Sequence, residues 1–457
     1  MTALQQYIDL FNEHRKAFES QSPASLNALR DRALKALQGA SLPRRGQEDY
    51  EATDMESLFA PDYGVNMNRV AFQADPNHPF RCDVPGMSTC LYYFYNDILH
   101  RSHTAQKAAG DMVIESFAEA QRNHPEILKQ YFGSVASLDH PEVALNTLLA
   151  QDGMLVYIPD GVVSDKPIQL INIYHALAPV MALRRILIVV GENASGRMLV
   201  CDHSQSSNVD FLGSQVVEIV ALKGATFDYY DLEETGSNVH RVSSVFVDQH
   251  EGSNVLIDGM TLTNGITRND FYVNVNGEHA ETHLLGMAIA GDEQHIDNHT
   301  FIGHNAPRCD SNEMFKYVIG DHAVGAFAGK VLVKPGCPRI NAYQGNRNIV
   351  SSTTAKMYTK PQLEIYTDDV KCSHGSAIGQ LDEEALFYMR TRGVSLNHAR
   401  MLLMQAFVSD VIDGIRLEQL KDRLHHLVEK RFKGNLAMCS ECNHAHCGSH
   451  TIEKKIK

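Results

Sequence analysis

The sequence of residues 254–290 is NVLIDGMTLTNGITRNDFYVNVNGEHAETHLLGMAIA. Short apolar, β-branched and aromatic runs alternate here with Gly, Asn and Asp, a composition typical of strands separated by turns. The glycines in and around this stretch fall five to twelve residues apart: Gly252, Gly259, Gly265, Gly277, Gly286 and Gly291. This spacing is too short for the strand–helix–strand crossovers of a parallel α/β sheet. The stretch therefore predicts an all-β region.

The same strand-like character extends from Pro167 to about Gln380. Asn and His recur on strand-like segments such as DFYVNVN and QHIDNHTFIGHN, where stacked coils could pair them, and no pair of Asn-Gly hairpin turns dominates. Both features favour a β-solenoid. However, no strict repeat period is visible, so the residues alone leave a solenoid and a sandwich equally open.

Helical periodicity flanks this region on both sides. Towards the N-terminus, apolar residues recur at intervals of three and four, as in Leu26, Leu29, Ala33, Leu34 and Leu37. The change from helical to strand-like pattern lies near Val163. We therefore predict a mainly helical domain over residues 1–163 and a β core over residues 164–380.

Three amphipathic helices are predicted after the β core. In DEEALFYMRTRG, Asp382 can cap the helix and Gly393 can end it. Ser395 can cap SLNHARMLLMQAFVSDVIDGI, in which one apolar stripe is predicted: Ala399, Leu402, Leu403, Ala406 and Phe407. A third helix is marked by Leu417, Leu420, Leu424 and Leu427. They predict a C-terminal helical domain over residues 381–438, followed by a Cys/His-rich tail over residues 439–457.

Composition and motifs restrict the function. The 41 basic and 55 acidic residues give a net charge of −14, the wrong sign for coating nucleic acid or anionic lipid. No stretch approaches the roughly 20 apolar residues of a membrane span, so we expect a cytoplasmic protein. Nine cysteines without a secretion signal predict thiols more than disulfides.

Catalytic templates are not found. The segment GAFAGKV, residues 325–331, has the wrong spacing for a phosphate-binding loop and carries Val331 where Ser or Thr should bind Mg²⁺. HExxH, G-x-S-x-G and G-x-G-x-x-G motifs are also missing from the sequence. We expect neither ATP hydrolysis nor any other enzymatic activity, although a β-helix enzyme acting on polysaccharide remains a competing hypothesis.

Cys372 and His374 are the clearest candidate ligands. They occur one residue apart in TKPQLEIYTDDVKCSHGSAIGQLDEEALFYMRTRG, residues 359–393, at the end of a strand-like run. Residues two apart on a strand point to the same face, so the thiol and imidazole could be presented side by side to Fe or Zn. The alternative is a buried Cys beside a hydrogen-bonded His.

The same segment carries a resemblance to a known family. PQLEIYTDDVKCSHG followed by DEEALFYMRTRG resembles the signature of the SufD members of the SufB/SufD family of iron–sulfur cluster assembly proteins. Further similar pieces are ALNTLLAQDGMLVYIPDGVVSDKPI, HTFIGHNAPRCDSNEMFKYVIG, FAGKVLVKPG and QGNRNIV. The resemblance extends from about Leu145 to Ile415.

This resemblance implies a mainly β fold, with a right-handed parallel β-helix between N- and C-terminal helical domains. It also implies a scaffold subunit of the SUF system that forms a heterodimer with SufB through the β-helix and binds the ATPase SufC through the C-terminal helices. A nascent iron–sulfur cluster would form at the SufB interface, with His374 as a cluster ligand and Cys372 beside it. No cofactor would be bound tightly by the isolated chain, for which a homodimer is the alternative assembly.

Two further groups of residues carry predictions. The SufC-docking candidates are Ala406, Phe407, Val411 and Ile415, for which internal packing of the helices is an equal alternative. The tail offers candidate ligands for Zn or Fe: Cys439, Cys442, His444, His446, Cys447 and His450. A metal-storage or metal-delivery protein using this tail is the alternative function. Cys337 is predicted to be a structural thiol.

Overall fold

A computed structural model describes residues 2–70, 84, 87–101, 110–205 and 208–433. Its N-terminal helices are α1 Ala3–Ser20, α2 Ala24–Leu37, α3 Met55–Phe59, α4 Phe117–Asn123, α5 Pro125–Tyr131 and α6 Pro141–Leu149. Its strands are β1 Cys90–Tyr95, β2 Ile98–Arg101, β3 Val113–Ser116, β4 Met154–Ile158, β5 Ile168–Tyr174, β6 Val180–Val190, β7 Ser195–Ser204, β8 Phe211–Ala221, β9 Thr226–Glu234, β10 Val239–Gln249, β11 Asn254–Thr263, β12 Ile266–Val275, β13 Glu281–Ala290, β14 His295–His304, β15 Asp310–Ile319, β16 Val324–Val333, β17 Ile340–Val350, β18 Lys356–Ile365 and β19 Val370–Gly379. The C-terminal helices are α7 Glu383–Thr391, α8 Leu396–Asp413 and α9 Glu418–Phe432.

The strands from β4 onwards form a parallel β-solenoid. Each coil gives one strand to each of two sheets, so that strands two apart in the chain are neighbours. One sheet has the order β19-β17-β15-β13-β11-β9-β7-β5-β1-β2, and the other has the order β18-β16-β14-β12-β10-β8-β6-β4-β3. The parallel pairing confirms the predicted solenoid and excludes the sandwich.

The coils differ in length. The distance along the chain between facing residues of neighbouring strands ranges from 26 residues, between His240 and Ile266, to 32 residues, between Val324 and Lys356. The differences lie mainly in the turns, and one further residue is accommodated by a register shift in β11 between Thr261 and Thr263. This variation explains why no repeat period is visible in the sequence.

The middle of the solenoid is buried on both sides. Inward residues such as Val255 and Ile257 of β11 form the interior core. Gly286 of β13 lies under the ring of Phe315 in the next coil, where an added Cβ would come within 2.1 Å of that ring. Outward residues are covered by helices, since Leu256 of β11 belongs to a cluster with α8 and α9. The strands therefore have buried residues on both faces.

The N-terminal end of the solenoid is covered. β1 and β2 form an antiparallel hairpin at the edge of one sheet, and β3 pairs antiparallel with β4 at the edge of the other. Helices pack over this end around a buried cluster that includes Leu148. Buried Arg30 of α2 donates to the carbonyls of Leu148 and, at 2.7 Å, of Ala150. Strands β1–β4 thus lie within the segment predicted to be mainly helical.

The C-terminal helices pack along one side of the solenoid. Asp382 and Ser395 cap α7 and α8 as predicted, and Gly393 adopts a positive φ of 86° after α7. The predicted stripe of α8 is wrong in part, because Leu402 and Ala406 are exposed. The buried face is formed by Ala399, Met401, Val408, Val411 and Ile412. The helix is apolar on several faces, so spacing could not identify the buried one. No helix of the described ranges is long and apolar enough to cross a membrane.

Candidate functional site

β18 and β19 form the end of the solenoid that lies away from the N-terminal helices. β19 pairs with β17, and β18 pairs with β16. Within the ranges that the structure describes, no further strand pairs with either of them. Two ten-residue edges therefore present backbone N–H and C=O groups without strand partners. We call β18 and β19 the open end.

Cys372 and His374 both lie on β19 at this open end. Cys372 stands opposite Ala342 and His374 opposite Gln344 of β17. Ala342 belongs to the interior core, so both side chains are on the inward face of the strand. Cys372 is half-buried against that core, and His374 is exposed at its rim. The structure brings the two side chains to one face, as their spacing predicts, while their role as ligands stays a prediction.

The thiol of Cys372 is held in its protonated form. Burial raises its pKa above the ordinary value, and a hydrogen bond with the backbone of Ala342 acts in the opposite direction. Because metals bind the thiolate, occupation of this sulfur by iron would release a proton.

A buried group of polar side chains lies beneath His374, and we call Thr300, Glu313 and Gln344 the polar stack. The carboxylate of Glu313 accepts from the hydroxyl of Thr300 at 2.5 Å and from Nε2 of Gln344 at 2.8 Å. Burial raises the pKa of Glu313 to about 7, against the effect of these two hydrogen bonds. Gln344 is also fully buried.

Polar side chains also fill the rest of the last coil. Thr359 of β18 donates to Oδ1 of Asn346 at 2.8 Å, and its hydroxyl lies 2.8 Å from that of Ser376 on β19. Asn348 donates to Asn346 at 2.7 Å and to the carbonyl of Ala377 at 3.1 Å. These bonds connect β17, β18 and β19, so the interior changes from hydrophobic to polar at the open end.

Sequence reasoning missed this polar interior, although a signal was present. In SNEMFKYVIG, residues 311–320, Glu313 stands in phase with Phe315, Tyr317 and Ile319, which face the core. A strand period of two therefore places a carboxylate among buried side chains. A buried carboxylate without a structural explanation is a candidate for function.

The rim of the open end is partly apolar. Four large side chains around it are exposed: Tyr343 at 42%, Ile365 at 39%, Tyr366 at 60% and Ile378 at 51%. Apolar side chains beside unpaired strand edges are typical of a surface that another chain covers.

The predicted SufC-docking residues are divided by the structure. Val411 and Ile415 are fully buried in a cluster that includes strands of the solenoid, so neither side chain is exposed in this structure. Phe407 is half-buried and Ala406 is exposed. Large exposed side chains on the same helices are Phe387 and Tyr388 of α7 and Leu402 of α8.

The remaining metal candidates lie elsewhere. Cys337 is a free cysteine buried in the interior core, and Cys309 is another. The candidate ligands of the tail lie outside the described residues: Cys439, Cys442, His444, His446, Cys447 and His450. In the part of the chain that the structure describes, no group of three or more His, Cys, Asp or Glu side chains is placed to hold a metal ion.

Comparison with known proteins gives consistent matches. Residues 173–407 match the family model described as "SUF system FeS cluster assembly, SufBD core domain", and residues 1–170 match "SufBD protein N-terminal region". An iron–sulfur cluster assembly SufBD family protein of Synechocystis is 27% identical over 88% of this chain and 90% of its own length. The SufD protein of Escherichia coli is 31% identical over 38% of this chain and 41% of its own length. The SufD protein of Bacillus subtilis is 22% identical over 94% of this chain and 98% of its own length.

Proposed function

This chain belongs to the SufBD family of iron–sulfur cluster assembly proteins, and from that premise we propose that it is the SufD-type scaffold subunit of an assembly complex. The observation that carries the proposal is the position of Cys372 and His374 on an edge strand of the open end. A SufB subunit pairs with this edge, and a nascent cluster is assembled between the two chains. The subunit positions groups and performs no catalysis of its own.

The ligand chemistry supports an interface site. Each iron of an iron–sulfur cluster takes protein ligands of the thiolate or imidazole type, together with bridging sulfides. Cys372 and His374 supply one of each from this chain, and the exposed imidazole faces the side on which a partner would lie. The facing subunit completes the ligand set. The cluster is a transient product here and not a resident cofactor.

The C-terminal helices support a second contact. We assign SufC docking to their exposed apolar side chains: Phe387, Tyr388, Leu402 and Ala406. α8 is joined to the solenoid through buried Lys316 of β15, which donates to the carbonyl of Phe407 at 2.7 Å and pairs with Asp410. Movement of an ATPase bound to α7 and α8 would therefore be transmitted to the sheet that ends in β19.

The test is purification of the tagged chain together with SufB and SufC. Iron and acid-labile sulfide are measured in complexes that contain wild type, His374→Ala or His322→Ala. His322 is an exposed histidine in the turn before β16, so it controls for the loss of a surface imidazole. We expect all three chains to assemble the complex and only His374→Ala to lose most of the iron and sulfide.

Two results would contradict the proposal. If the wild-type chain binds neither SufB nor SufC, the scaffold role is wrong. If the His374→Ala complex holds as much iron and sulfide as the His322→Ala complex, the cluster does not form at His374.

A further inference from the structure

The side-chain amide of Gln344 is fixed in one orientation. Its Nε2 donates to Oε2 of Glu313 at 2.8 Å. At pH 8, above its pKa of about 7, the Glu313 carboxylate is mainly ionised and only accepts, so turning the amide over would place two acceptor oxygens against each other. Glu313 is itself held by the hydroxyl of Thr300. Oε1 of Gln344 must therefore point away from Glu313.

This oxygen is buried and lacks a donor. Oε1 of Gln344 has no hydrogen-bond partner among the described residues, although the residue is completely buried. A buried acceptor without a partner is unfavourable and rare in native proteins. A donor is therefore expected at the next layer of the solenoid.

His374 occupies that layer. It stands in register with Gln344 on the neighbouring strand, about 4.8 Å away along the hydrogen-bonding direction, on the same inward face. Thr359 of the same coil is already engaged, since it donates to Asn346 and its hydroxyl contacts that of Ser376. Among the described residues, the ring of His374 makes no hydrogen bond, and a neutral imidazole always carries one N–H donor.

We propose that Gln344, oriented by Glu313, is a positioning residue for His374: its Oε1 accepts the N–H of the imidazole and thereby selects one tautomer. The other ring nitrogen is then unprotonated and free to face the open end. Ligating histidines commonly have their second nitrogen fixed in this way. That this nitrogen binds iron rests on the proposed function, whereas the hydrogen bond to Gln344 does not.

The experiment observes the tautomer directly. The full-length chain is labelled with ¹⁵N-histidine, and its ring nitrogens are recorded by two-bond ¹H–¹⁵N NMR at pH 8, where an ordinary imidazole is neutral. The signals of His374 are identified by their loss in His374→Gln. In wild type we expect one protonated and one unprotonated nitrogen, with well-separated shifts. In Gln344→Met, which removes the acceptor at similar length, the two shifts should move towards each other as the tautomers interconvert.

Two further variants make the test specific. Glu313→Gln lets the amide of Gln344 turn over, so it should cause a shift in the same direction. Tyr343→Phe changes the neighbouring side chain on the outer face of β17 and should leave the ring signals unchanged. If Gln344→Met does not fold, as judged by thermal unfolding, Glu313→Gln provides the decisive comparison.

The inference is overturned if His374 shows interconverting tautomers in wild type. It is also overturned if the ring shifts of His374 in folded Gln344→Met and Glu313→Gln are the same as in wild type. The NMR result is independent of cluster assembly. A fixed tautomer in a chain whose complex keeps its cluster after His374→Ala would support the hydrogen bond and refute the cluster site.

Discussion

At the N-terminal end of the solenoid the outermost strands are β2 and β3, which are four residues long, whereas at the other end β18 and β19 each extend for ten residues. The short strands pair antiparallel with their neighbours, and the N-terminal helices pack around a buried cluster on the first coils. The long strands have exposed apolar side chains at their rim and a polar interior behind them. Among the described residues, the N-terminal end carries short antiparallel strands, whereas the outer edges of β18 and β19 have no strand partner.

The comparison shows how a solenoid can provide both stability and a binding edge. Long unpaired strands promote association with other chains, and most folds shorten or cover them. Here the outermost strands are short and antiparallel at the N-terminal end but ten residues long at the open end, where Cys372 and His374 lie. This difference supports the open end as the surface on which a partner completes the structure.

The largest expected effect is a loss of folding stability on mutation at the N-terminal end of the solenoid. Leu148→Ala removes a fully buried side chain of α6 and leaves a cavity, which typically costs about 2–5 kcal/mol of unfolding free energy. Ile378→Ala, the matched change at the open end, should cost less than about 0.5 kcal/mol because that side chain is half exposed. Urea unfolding of both variants measures the difference. Similar losses would mean that the two ends are equally buried.

A binding defect without a folding defect is expected at the open end. Ile378→Asp puts a charge on the proposed partner surface and should weaken SufB binding by about 2–4 kcal/mol, the range of an interface hot spot. Leu177→Asp is the control, because Leu177 is 96% exposed before β6 and far from this edge in the coil order. Biosensor titration with SufB measures both. Equal affinities for the two variants would place the interface elsewhere.

The burial of the sheet beneath α8 and α9 can be tested through the ionisation of Asp258. This residue of β11 is fully buried, both its carboxyl oxygens lack partners among the described residues, and burial raises its pKa to about 8. The unfolded chain has an ordinary pKa near 4. The folded state therefore binds the extra proton between these values, and stability falls as the pH rises from 4 towards 8.

Asp258→Asn cannot ionise and should escape this loss. Relative to wild type it should gain about 2.6 kcal/mol in unfolding free energy between pH 5 and pH 7, since only the folded wild-type chain holds the proton over these two pH units. Denaturant unfolding at several pH values measures the gain, with the exposed Asp413→Asn as control. A pH-independent difference would mean that Asp258 is solvated and that the helices do not cover the sheet.

The smallest expected effect concerns the helix that follows the open end. The carboxylate of Asp382 accepts from the backbone N–H groups of Glu384 and Ala385 at 2.9 and 3.1 Å. Asp382→Ala should cost about 1 kcal/mol, whereas Asp382→Asn keeps an acceptor and should cost less. Thermal unfolding compares the two. Equal losses would show that capping does not hold α7.

The strand content and helical flanks could be predicted from the sequence, because strand and helix periods depend on neighbouring residues. The solenoid itself could not be chosen over a sandwich on pattern alone, since coil lengths vary in the turns and conceal the repeat. The strands between residues 90 and 116 were not predicted, because they are short and include antiparallel additions at the sheet edges. These pairings depend on distant parts of the chain.

The candidate site was predictable only in part. The spacing of Cys372 and His374 gave their common face, but their position at an open end depends on the order of the coils. The partners of Gln344 come from strands about 30 residues away, and no local pattern shows them. For α8 and the residues that follow it, burial of Val411 and Ile415 results from contact with the solenoid, which the helical period alone does not reveal.

The unequal coils have a consequence for distance within the protein. Hydrogen bonds fix the rise of each coil at about 4.8 Å, however many residues its turn contains. The distance of His374 from the N-terminal end, measured along the solenoid axis, is therefore set by the number of coils and not by the number of residues. Insertions in turns, where the 26- and 32-residue coils already differ, would leave that distance unchanged. Removal of a single coil would shorten it by about 4.8 Å.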